Sequence, residues 1–205
     1  MKLFVTGTDT DVGKTIFSAA LSGALKANYW KPIQAGTLEN SDSDTILRLS
    51  GNPPATILPE AYRLNTACSP HRAAELDSIE IDTGKLQLPD IDPLVVEGAG
   101  GLLVPVTRKL LLIDIVARWQ LPVVLVARTA LGTINHSLLS IEALRSRNIP
   151  LLGIAFVGEP NPDSEEVICT FGQAKRLGRL PMLDPLDRSS LAQAFAANFK
   201  LEDFR

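Results

Sequence analysis

The chain alternates short, continuously apolar runs with longer stretches of helical period. Lys2–Thr6 (KLFVT) reads as a buried strand, and Lys14 to about Ala27, rich in Ala and Leu, as a helix. YWKPI gives a second strand, cut at Pro32. Leu94–Glu97 gives a third, Pro122–Ala127 (PVVLVA) a fourth, and Leu151–Val157 (LLGIAFV) a fifth. Helical patterns over about Ile113–Trp119 and Thr133–Arg147 separate the last three. Runs of Val, Ile and Leu without polar alternation belong to strands covered on both faces. The pattern therefore predicts an α/β, doubly wound fold: a mostly parallel sheet with helices on each side. The stretch from Leu38 to Pro93 is less regular, with a short helix at Asp42–Ser50, a Pro-rich turn at Asn52–Pro54 and a second helical piece after Asp82. It reads as an insertion within a single domain over residues 1–205. Ligands of such sheets bind at the carboxyl ends of the strands, so the residues that follow each strand carry the chemistry.

Composition narrows the function classes. The 205 residues are 45% apolar and 21% charged with a net charge of −3, which suits a globular protein, and the total does not point to a basic surface for nucleic acid. No run approaches the ~20 apolar residues of a membrane span, and the N-terminal apolar run is too short for a signal peptide. A cytoplasmic location is expected. Two cysteines without metal-type spacing, Cys68 and Cys169, read as reduced thiols, and two histidines are too few for a metal cage.

The first strand is followed by GTDTDVGKT, Gly7–Thr15, which opens a helix. Strand, glycine-containing loop and helix N-terminus form the setting of a phosphate-binding loop: outward-facing backbone N–H groups attract anionic oxygens. Gly13 lets the backbone approach the phosphates, Lys14 reaches the β- and γ-phosphates, and Thr15 offers a hydroxyl to Mg²⁺. The expected first glycine of the pattern falls at Thr8, with Gly7 standing one residue earlier. Asp9, Thr10, Asp11 and Val12 complete the loop, and its polar side chains are placed to touch a second substrate. Three further strand ends offer partners. KPIQAG carries Lys31; VEGAGG carries Glu97, a carboxylate able to hold Mg²⁺, followed by the peptide groups of Gly98–Gly101; and the acidic run NSDSD carries Asp44. His71 and His136 read as structural histidines, Cys68 is not expected to pair with His71, and Trp30 and Trp119 read as packing residues.

In order along the chain, GTDTDVGKT, KPIQAG, the Ser43–Asp44 pair, SPH (Ser69–His71), VEGAGG and LGTINHSLL (Leu131–Leu139) resemble the motifs of the dethiobiotin synthetase family, over nearly the whole length. The resemblance implies a phosphate-loop NTPase-like fold. It also implies an MgATP-dependent ligation of CO₂ to 7,8-diaminopelargonic acid that closes a cyclic urea, the penultimate step of biotin synthesis. Carried over by position, Lys14 and Lys31 stabilise the transferring phosphoryl group and the carbamate, with Thr10 beside them. Asp9–Thr15, Asp44 and Glu97 serve the nucleotide, and Thr15, Asp44 and Glu97 hold Mg²⁺. Thr10, Lys31, Ala35, Gly98, Ala99 and Gly100 face the diamine or phosphate, and Asn135 caps the diamine's carboxylate from the neighbouring subunit of a homodimer. Three departures from the family stand out. Asp11 replaces a common Glu, and Ala35 replaces a common Ser or Thr. The stretch Gly153–Glu166 lacks the adenine-reading Asn of some members, which leaves Gly158, the Glu159 region and Pro181 as expected base contacts. Two other classes share the architecture. Partitioning-type switch ATPases carry an extra lysine early in the loop, where this chain has Thr8, Asp9 and Thr10; amide ligases of cofactor synthesis carry an appended glutaminase domain, for which 205 residues leave no room.

Overall fold

The computed structural model describes residues 1–37 and 41–205; residues 38–40, where the expected insertion begins, lie outside the described residues. The strands are β1 (Lys2–Gly7), β2 (Asn28–Trp30), β3 (Ile33–Ala35), β4 (Ile57–Leu58), β5 (Tyr62–Leu64), β6 (Leu94–Gly101), β7 (Pro105–Thr107), β8 (Leu110–Leu111), β9 (Val123–Arg128), β10 (Leu151–Val157) and β11 (Arg176–Leu180). The helices are α1 (Lys14–Leu25), α2 (Asp42–Leu49), α3 (Pro70–Leu76), α4 (Leu112–Trp119), α5 (Thr133–Arg145), α6 (Pro162–Phe171) and α7 (Arg188–Asn198). Seven strands form one parallel sheet in the order β11-β10-β9-β1-β6-β2-β4.

Alternation along the strands divides the core between the two faces. Leu3 and Val5 of β1, with Val124 and Val126 of β9, pack against α1, α2 and α7, while Phe4 and Val123 point to the opposite face and α4. Leu125 and Ala127 continue that second face beneath α5 and α6. Phe17 of α1 meets Phe195, Phe199 and Phe204, so an aromatic cluster ties the chain's end to the helix that follows the first loop. Trp30 and Trp119 pack with ring centroids 5.9 Å apart, and their indole N–H groups donate to the Pro59 and Leu86 carbonyls. Both serve the core.

The irregular middle of the chain differs from its expected layout. α2 forms where expected, but the piece after Asp82 is one 3₁₀ turn, Thr83–Lys85. The regular helix instead is α3, opened by Pro70 at its first position. Pro32 ends β2, and the chain resumes as β3 to pair with β5 in a separate two-stranded ribbon. β6 runs four residues beyond its expected end, through Gly101.

Register sets the site. Val5 of β1 stands beside Glu97 of β6, and Trp30 of β2 beside Val96, so Lys31 comes level with Glu97. The loop after β1, the residue after β2 and the acid within β6 are thereby neighbours at one edge of the sheet.

Candidate active site

The loop between β1 and α1 doubles back tightly. A Cβ on Gly7 would lie 2.6 Å from the Val12 side chain and 2.9 Å from the Asp9 carbonyl oxygen, so the displaced glycine is where the loop packs onto the strand end. Gly13 has φ +92°, a left-handed conformation that side chains disfavour, and its would-be Cβ meets Val157 at 2.8 Å. The loop therefore needs glycine at positions 7 and 13 and tolerates Thr8. Lys14 is 6% exposed, and its Nζ donates to the Asp9 carbonyl at 2.7 Å, folding the lysine under the loop. Burial lowers its pKa, and the nearby Lys31 ammonium pushes the same way against Glu97 and Asp42.

Beneath the loop lies a charge cluster. Glu97 is fully buried at the sheet edge. Its Oε1 accepts from the Thr15 hydroxyl at 2.9 Å and from Lys31 Nζ at 3.1 Å, and its Oε2 accepts from the Tyr29 hydroxyl at 3.0 Å. Lys31 Nζ also reaches the Gly98 carbonyl at 3.3 Å and Asp42 Oδ2 at 2.5 Å. Burial alone would depress the Lys31 pKa, but the Glu97 and Asp42 charges outweigh it and raise it above the ordinary lysine value. Burial likewise pushes Asp42 up, and the Lys31 ammonium, with hydrogen bonds from Lys31 and Thr15, brings it below the usual carboxylate range.

The acid in this cluster is Asp42, not the expected Asp44. Ser41 is the N-cap of α2; its hydroxyl accepts from the Asp44 backbone N–H, and the Asp44 carboxylate accepts from the Ser41 backbone N–H at 3.0 Å and hydroxyl at 2.7 Å. This capping box occupies Asp44, and those hydrogen bonds hold its pKa low. Asp42, at the first position of the helix, carries the charge to Lys31. The sequence offers two Ser-Asp pairs two residues apart, and the box signature Ser41-x-x-Asp44 distinguishes them: the acid three residues after the cap belongs to the helix terminus. Gln34, buried in β3, was also missed; its Oε1 accepts from the Asp42 backbone N–H at 3.2 Å and braces the start of α2.

The cluster floors a cleft of about 700 Å³ lined by Thr10, Asp11, Gly13, Lys14, Thr15, Lys31, Ala35, Asp42, Glu97, Ala99 and Gly100, with Cys68 and Ser69 on the far wall. A second cleft of about 500 Å³ shares Asp11, Gly13 and Ile16 with the first and is lined by Val12, Gly158, Glu159, Asn161, Pro181 and Met182. The two meet across the N-terminus of α1, a charged chamber on one side and a mostly apolar one on the other. Gly158 and Pro181 thus line one cleft with the loop residues Asp11, Val12 and Gly13. Asn161, in the lining of that cleft, caps α6, accepting from the Ser164 backbone N–H and donating to the Thr129 carbonyl. Asn135 lies on the first turn of α5, exposed, and lines neither cleft. His71 faces the Ser69 hydroxyl at 3.1 Å, and Cys68 and Cys169 are free thiols.

Most of the chain matches proteins of one activity. It is 64% identical over 200 residues, 98% of this chain and 97% of that protein, to the ATP-dependent dethiobiotin synthetase BioD of Novosphingobium aromaticivorans. The chain belongs to the dethiobiotin synthetase family. Further members from Rhodopseudomonas palustris strains HaA2 and BisB18 are 63% and 59% identical, over 98% and 99% of this chain and 95% and 98% of theirs. A family described as an AAA domain matches residues 1–190. Among solved structures, a ParA family ATPase from Chlorobium tepidum TLS superposes with a TM-score of 0.52 at 11% identity, covering 95% of this chain and 90% of that one. The MinC:MinD cell division protein complex of Aquifex aeolicus gives 0.50 at 13%, covering 94% and 86%. These two share the fold of this chain. No helix among the described residues is long and apolar enough to cross a membrane.

Proposed function

We propose that this member of the family is the cytoplasmic, Mg²⁺- and ATP-dependent enzyme that joins CO₂ to 7,8-diaminopelargonic acid and closes the ring of dethiobiotin, the penultimate step of biotin synthesis. It works as one domain over residues 1–205 within a homodimer. The observation that carries the reading is the meeting of Lys14, Lys31, Thr15, Asp42 and Glu97 in one cleft under the phosphate loop.

The chemistry asks for this charge distribution. One amine of the diamine takes up CO₂ to give a carbamate. A carbamate oxygen attacks the γ-phosphorus, and ADP leaves. The second amine attacks the carbon of the resulting carbamic–phosphoric anhydride, the urea ring closes and phosphate departs. Carbamate and γ-phosphate are both anions, and Lys31 and Lys14 lie where ammonium groups let them approach. The loop N–H groups from Asp9 to Thr15 hold the phosphates at the start of α1. Thr10, Ala35, Ala99 and Gly100 line the side on which the diamine enters, and the Gly98 carbonyl beneath them accepts from Lys31. Gly158 and Pro181 border the base.

The donors beside Lys31 suit a hard divalent cation: the Thr15 hydroxyl and the Asp42 and Glu97 carboxylates are oxygen ligands gathered at one point. When bound there, Mg²⁺ supplies charge neutralisation to the β- and γ-oxygens. The homodimer is supported by the apolar residues exposed around α5: Leu131 is 100% exposed, Leu139 56% and Leu103 55%. Asn135, exposed on the same helix, is the residue this reading assigns to the diamine's carboxylate in a partner's site.

Phosphate release tests the reading. It should require the diamine and bicarbonate together. Release without either substrate would assign the chain to the switch ATPases instead.

A further inference from the structure

We propose that Tyr29 is a positioning residue for Glu97: its phenol engages one carboxylate oxygen, so that the other is presented to Thr15, Lys31 and the divalent cation that accompanies ATP. The proposal rests on the reading of Glu97 as a ligand of that cation. Tyr29 and Glu97 are both fully buried. Tyr29 stands opposite Val95 in the β2–β6 pairing, and Val95 and Glu97 share one face of β6, so the ring points along the sheet toward the acid. The hydroxyl donates to Oε2 at 3.0 Å, while Oε1 accepts from Thr15 at 2.9 Å and Lys31 at 3.1 Å.

A phenylalanine would fill the same space in the core beside Phe17 and Val95. What needs explaining is the hydroxyl. A carboxylate cut off from water needs partners for both oxygens, and the torsion that turns its plane is otherwise soft. A phenol meets the need as a neutral donor, adding no charge to compete with the cation. Groups that orient a metal's ligand in this way commonly change its affinity about 10- to 100-fold.

The test uses the full chain with ADP and Mn²⁺ as the probe, bound Mn²⁺ being read by electron paramagnetic resonance. Tyr29→Phe should weaken Mn²⁺ binding about 10-fold and leave the KM for the diamine unchanged, while Glu97→Gln should abolish Mn²⁺ binding. If Glu97→Gln abolishes it and Tyr29→Phe lowers only the melting temperature, the phenol serves packing alone and the positioning role is overturned. If Glu97→Gln binds Mn²⁺ normally, Glu97 is not on the cation, and the proposal falls together with that part of the functional reading. Should Tyr29→Phe fail to fold, 3-fluorotyrosine at the two tyrosines, with Tyr29 assigned through Tyr62→Phe, decides the matter. The Tyr29 fluorine resonance shifts when Mg²⁺ and ADP bind if the role holds; a fixed resonance overturns it.

Discussion

The Lys31 ammonium stands between two carboxylates, at the point where the proposed chemistry puts a second cation. Its position explains why Glu97 and Asp42 can lie close together in a buried place: each carboxylate shares the same positive charge. Replacing Lys31 with Ala should leave nucleotide binding intact and lower turnover about 100-fold or more, the scale of losing a charge that stabilises a developing oxyanion. The same variant should bind Mn²⁺ more tightly, because an ammonium no longer competes for the two acids. Steady-state kinetics and a Mn²⁺ titration check both, and unchanged turnover would remove Lys31 from the mechanism. Lys14 and Thr15 were legible in the sequence from the Gly-Lys-Thr end of the phosphate loop, and Lys31 and Glu97 because they follow, or end, a strand at the functional edge of a parallel sheet. Tyr29 was not, since a tyrosine within an apolar strand reads as core and only coordinates reveal where its hydroxyl ends.

At the scale of elements, the start of α2 separates capping from chemistry. Asp44→Ala should cost about 0.5–2 kcal/mol of stability, as loss of a cap does, and keep turnover. Asp42→Asn should do the reverse, lowering turnover at least 10-fold while denaturant unfolding changes little. Activity loss in the Asp44 variant with a fully active Asp42 variant would restore the sequence-based assignment. A second element contact gives a pH signature. Arg108, between β7 and β8, forms a two-pronged bridge to Glu75 of α3 at 2.6 and 2.8 Å, with Arg72 at 3.0 Å. These hydrogen bonds hold the Glu75 pKa at about 2, against 4.5. A depressed acid lends its stabilisation above 4.5 and loses it as pH falls toward 2. The pair is exposed, so the effect on global stability is small. Proton titration by NMR should find Glu75 well below 4.5, rising toward it in Arg108→Ala. The strong apolar runs gave β1, β9 and β10 nearly to the residue. β11 escaped because arginines interrupt its RLGRL pattern, and α3 because its helix follows a proline in a segment without clear period.

The whole molecule joins a charged cleft to an apolar one across the N-terminus of α1 and exposes leucines around α5. Asn135 lines neither cleft, so on the proposed reading the diamine's carboxylate is met by a second subunit. In light scattering the wild-type chain should be a dimer. Leu131→Asp combined with Leu139→Asp should give a monomer that keeps nucleotide binding and loses turnover. A wild-type monomer with full activity would end the shared-site account. The claim on which everything else depends is that a carbamate formed from the diamine attacks the γ-phosphate in this cleft. Turnover started with ¹⁸O-labelled CO₂ in unlabelled water tests it most directly. The account predicts that each phosphate released carries one ¹⁸O, the carbamate oxygen that formed the bond to phosphorus. Phosphate free of label, produced alongside dethiobiotin, would contradict it.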